Sequence, residues 1–80
     1  MSSAKQYLEN LRQTAFHLNE IASNMQQDAI RLIQEKPQVN GKLQNQDTKN
    51  DSVFTILCSV NLQKIAENII TYCEERLSHM

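Results

Sequence analysis

Eighty residues carry 8 Lys and Arg against 9 Asp and Glu, with 40% hydrophobic positions, one Gly, one Pro and no Trp. A chain of this size makes one domain at most and buries only about 60% of its unfolded surface, which excludes a deep core around a substrate pocket. Gly and Pro fall far below their usual combined share of roughly 12%, which excludes turn-rich sheets and phosphate loops and leaves long helices.

A net charge of −1 gives no electrostatic footprint for a nucleic-acid backbone, so no nucleic-acid partner is expected. Nine Gln and eight Asn make 17 amides, equal to the 17 charged residues, so the surface is polar and nearly neutral. The longest uncharged apolar run, within Ser52 to Gln63, is shorter than the ~20 residues that a bilayer requires. The first residues lack an apolar secretion region, and the expectation is no membrane partner and an intracellular address, cytoplasm or nucleus. Cys58 and Cys73 are too few for a secreted disulfide framework. On one helix their 15-residue spacing separates them by about 22 Å, beyond bridging.

The spacing predicts a first helix over about 3–36. Ser3 and Gln6 fit a capping box at its start, and Pro37 ends it. Ala4, Leu8, Leu11, Ala15, Leu18, Ala22, Met25, Ala29 and Leu32 alternate steps of four and three, a heptad seam sustained over four repeats. Alanine at 15, 22 and 29 lets a neighbouring helix come close. Bulky Ile and Leu of a second helix, or a dimer mate, are the expected neighbours. Tyr7 and Ile21 flank one side of this seam, Phe16 and Ile30 the other.

A polar connection is expected over about 37–50, holding the only Pro and only Gly among amides. The second helix is expected over about 51–78, with Thr48 and Asp51 as alternative caps. Val53 to Leu62 is apolar nearly all round, and beyond it Ile65, Ile69, Cys73 and Leu77 form a one-sided stripe expected to complete the seam. The fold class that follows is all-α: an antiparallel hairpin of two long helices in a single domain, 1–80. Apolar residues remain beyond that seam, so the hairpin is expected to complete a four-helix bundle by dimerisation or with helices of another protein.

Function read on this basis is protein–protein interaction by a small subunit, adaptor or chaperone, with Tyr7, Phe16, Ile21, Ile30, Phe54, Leu57 and Val60 as contact residues. A regulatory inhibitor docking one helix face on an enzyme or transcription factor is the alternative. His17 invites comparison with histidine phosphotransfer domains, helical bundles with an exposed His typically followed by Lys and Gly. Here Leu18, Asn19 and Glu20 follow, and Glu20 would repel a phosphoryl group. The sequence has no CxxC or HxxxH pair, no Gly-rich loop and no Ser-His-Asp spacing, so no metal, cofactor or catalysis is expected. The polar face of the first helix, Gln13, Glu20, Gln27 and Gln34, lacks the cations of a helix lying on a lipid surface.

Overall fold

The computed structural model describes residues 3–34 and 46–80. Two α-helices account for nearly all of them, α1 over Ser3–Gln34 and α2 over Gln46–Ser78, and they pack on each other as an antiparallel hairpin. No strand occurs among the described residues. The rod is one helix pair thick, 14 × 13 Å across its Cα atoms. A four-helix bundle would need a second chain.

The helix bounds differ from expectation at one end. α2 starts at Gln46, upstream of both proposed caps, so neither Thr48 nor Asp51 caps it. Residues 46–50 belong to the helix rather than to the connection, and residues 37–45 of the expected connection lie outside the described residues. The physical reason is permissive: no Gly or Pro lies between Gly41 and the C-terminus, so nothing halts helix propagation back from the packed region. At the other end, His79 N–H donates to Arg76 O and Met80 N–H to Leu77 O, both at 3.2 Å, tightening the last turn.

The contact between the helices is a row of small residues on each. Leu8, Ala15, Ala22 and Ala29 are buried on α1; Ser52, Ser59, Ala66 and Cys73 are buried on α2. Both rows recur every seven residues. Ala29 and Ser52 line one cleft together, so antiparallel heptads set Ala22 level with Ser59, Ala15 with Ala66 and Leu8 with Cys73.

Small therefore faces small, and the expectation of alanines set against bulky Ile and Leu is corrected. Of the four α2 residues assigned to the seam, only Cys73 is on its centre line; Ile69 and Leu77 are half-buried at its sides. Ile65 is 49% exposed and does not belong to the seam. When backbones approach this closely, no space remains for a branched side chain between them, so bulky residues move to the flanks. On α1, Leu11, Leu18 and Met25 are likewise half-buried, while Ala4 and Leu32 are exposed. Ser59 is accommodated because its hydroxyl donates to Ile56 O at 2.7 Å. Ser52 Oγ is buried without a partner.

Candidate functional site

With the two seams fixed, helical periodicity assigns the remaining residues to flanks. One flank carries Tyr7, Leu11, Leu18, Ile21, Met25 and Leu32 of α1 beside Cys58, Leu62, Ile65, Ile69 and Tyr72 of α2. It is apolar for almost its whole length, and we call it the leucine flank. Its charged residues stand at the ends. Asp28 and Asp51 are at the end nearer the connection, where both line the cleft; Arg76 is at the open end.

The opposite flank is mixed. Arg12, Asn19 and Gln26 of α1 run beside Gln63 of α2, with Phe16, Ile30, Ile33, Val53, Ile56, Val60 and Ile70 among them. Arg12 Nη1 lies 3.9 Å from Glu74 Oε2 across the two helices, which fixes the pairing of this amide flank. Both partners are substantially exposed, so the pair adds little stability.

All seven residues expected to contact a partner are exposed, but they do not form one patch. Tyr7 and Ile21 are on the leucine flank. Phe16, Ile30 and Val60 are on the amide flank. Phe54 and Leu57, 67% and 60% exposed, stand on the back of α2 away from α1. Ile65 and Tyr72 are also exposed on the leucine flank, outside the contact set expected from the sequence, because the α2 seam runs through Ser52, Ser59, Ala66 and Cys73. Ser52, Ser59, Ala66 and Cys73 at intervals of seven were the signal that would have found them.

The cleft at the connection end measures about 300 Å³ and is open to solvent. Met25, Ala29 and Leu32 give it apolar walls; Asp28, Asp51, Ser52 and Thr55 give it polar ones. Asp28 Oδ1 already accepts from Arg31 Nη1 at 3.1 Å, and Thr55 Oγ1 donates to Asp51 O at 2.9 Å. At the open end Arg76 Nη1 donates to the Tyr72 hydroxyl at 3.1 Å, with its guanidinium carbon 5.9 Å from the ring centroid. This pair is a stiffened cation and aromatic ring on the rim of the leucine flank.

The sequence matches no protein-family model, and no curated protein or solved structure matches it.

Other chemistry can be placed against the same geometry. His17 is exposed, and its Nδ1 lies 3.6 Å from Glu20 Oε1 one turn ahead, so a carboxylate stands beside the imidazole. Cys58 is half-buried on the leucine flank and Cys73 fully buried in the seam, both as free thiols. Among the described residues, no group of three or more His, Cys, Asp or Glu is placed to hold a metal ion. The stretch Lys49–Ser78 of α2 is long and apolar enough to cross a membrane by length and composition alone; the uncharged run inside it, Ser52 to Gln63, is shorter than a span.

Proposed function

We propose that the hairpin is a protein–protein interaction module, a small helical subunit, adaptor or chaperone that completes its core by packing on another chain. One observation carries this reading: Tyr7, Ile21, Ile65 and Tyr72 stand exposed along a single flank of a rod only one helix pair thick. Burying a side chain of this size is worth about 1.5–3 kcal/mol. Four such side chains, each about half exposed, forgo several kcal/mol, a sizeable share of the ~5–15 kcal/mol net stability of a domain.

A protein covers this surface better than lipid does. The apolar stretch of α2 includes Lys64 and Glu67 together with Asn61, Gln63 and Asn68. Each charge held at a bilayer centre costs about 2.5–3.5 kcal/mol on insertion scales. A protein interface leaves Lys64 and Glu67 at a wet rim, and the net charge of −1 offers nucleic acid no footing. We read the module as a non-enzyme without cofactor, working in a reducing intracellular compartment where both cysteines stay thiols.

Sedimentation and thermal unfolding of the isolated chain at micromolar concentration test the reading. Expected is either concentration-dependent association or a broad, weakly cooperative transition. A monomer that unfolds in one sharp transition overturns it.

A second reading, a regulator docking one helix face on an enzyme or transcription factor, is favoured by Phe54 and Leu57. They face away from both flanks and stay exposed after a bundle has closed on either one. Phe54→Asp with Leu57→Asp then removes binding to such a partner and leaves helicity and self-association unchanged. Loss of self-association in this variant counts against the second reading.

A further inference from the structure

We infer that the chain covering the leucine flank is a second copy of this one, stacked antiparallel to the first as an isologous dimer; this rests on the interaction reading above. The inference stands on charge, register and area. Asp51 and Asp28, the latter paired with Arg31, mark one end of the flank and Arg76 the other, and the rows between them hold no charge. A two-fold axis perpendicular to the helices sets each acidic end against the basic end of the second copy. The alternative axis, along the helices, gathers the Asp28 and Asp51 carboxylates of both copies at one end, where like charges repel.

The register follows from the layers. Leu18 and Leu62 lie nearly level in the antiparallel pairing and form the middle of the flank. With the axis through them, α1 stacks on α1 and α2 on α2. Leu11 then meets Met25, and Ile69 meets Thr55. Tyr7 precedes Leu18 by 11 residues and Ala29 follows it by 11, so each is about 16 Å from the axis. Tyr7 of either copy therefore faces the cleft of the other. Tyr72 falls opposite Ser52, whose buried hydroxyl has no partner within one chain, and Arg76 falls within a turn of Asp51. Cleft and tyrosine–arginine rim occupy mirrored positions about Leu18, as an isologous contact requires.

The area also fits. A helix of 32 residues is about 48 Å long, and across a 14 Å face it presents roughly 700 Å² before side-chain relief is counted. A standard stable interface buries about 800 Å² per partner.

Two measurements test this. In sedimentation equilibrium the chain forms a dimer, and Ile21→Asp with Ile65→Asp weakens it at least about tenfold while the helical circular dichroism is retained. In a chain carrying Cys58→Ser and Cys73→Ala, Leu18→Cys oxidises to a disulfide-linked dimer, because only α1 stacked on α1 brings position 18 to its own copy. A wild-type dimer insensitive to the two aspartates overturns the inference. So does an interchain disulfide between positions 18 and 62, seen as a covalent dimer of the Leu18→Cys, Leu62→Cys chain, while position 18 alone gives no crosslink. A wild-type monomer overturns it too, and its unfolding tells the two ideas apart: weakly cooperative unfolding leaves the need for some other chain standing, and a sharp transition removes both.

Discussion

At the scale of single residues, size rather than polarity decides what lies between the helices. Ser52 and Ser59 occupy the same kind of position as Ala15 and Ala22, although a hydropathy pattern separates them. That is why the α1 seam was legible in the sequence and the α2 seam was not: alanine counts as apolar in a heptad search, and serine interrupts it. The larger Ile65 reads as core and is half in water. A sharp contrast follows for substitution. Ala22→Leu and Ser59→Leu wedge the helices apart and destabilise by about 1–3 kcal/mol or more, whereas Ser59→Ala at the same place changes stability by under about 1.5 kcal/mol. Urea titration of each variant measures the difference. Equal effects of leucine and alanine at position 59 would show that the seam is not closely packed.

At the scale of the helices, the heptad of α1 sufficed to read a long first helix from sequence, while its expected end at Pro37 lies outside the described residues. The start of α2 was less legible, because cap-like residues recur. Thr48 and Asp51 both resemble helix starts, yet both lie inside α2. A side chain able to cap does not compel the backbone to leave the helix when packing further on rewards propagation. Proline discriminates between the two boundaries. If α2 began at Asp51, Asn50→Pro would stand before its first turn and be harmless. With the helix starting at Gln46, the same proline removes the backbone bond from residue 50 to Gln46 and crowds the preceding turn, at a cost of about 3 kcal/mol. Thermal unfolding and the loss of helical circular dichroism near the N-terminus of α2 provide the check.

At the scale of the whole molecule, a hairpin with a seam of small residues has a structural consequence. Holding the helices close narrows the space between them, so Leu11, Leu18, Leu62 and Ile69 rest half-buried at the edge. The core thus forms a surface that a second layer of helices can cover, and its charges then decide which orientation that layer adopts. Asp51 and Arg76 are exposed, and exposed ion pairs are worth about 0.2–1 kcal/mol each. A two-fold axis makes every such contact twice. Reversing either charge alone, Asp51→Arg or Arg76→Asp, is therefore expected to weaken the dimer by roughly 2- to 30-fold, with each loss shrinking as salt screens the ends. Combining the reversals restores opposite charges across the interface and recovers most of the affinity, a coupling visible as non-additivity in a double-mutant cycle followed by sedimentation equilibrium. Additive effects would separate the two ends in space, and a gain from Asp51→Arg would favour copies aligned with their connections together. In that arrangement Asp51→Arg alone relieves a repulsion and tightens the dimer, so the sign of this one substitution reports the direction in which the copies run.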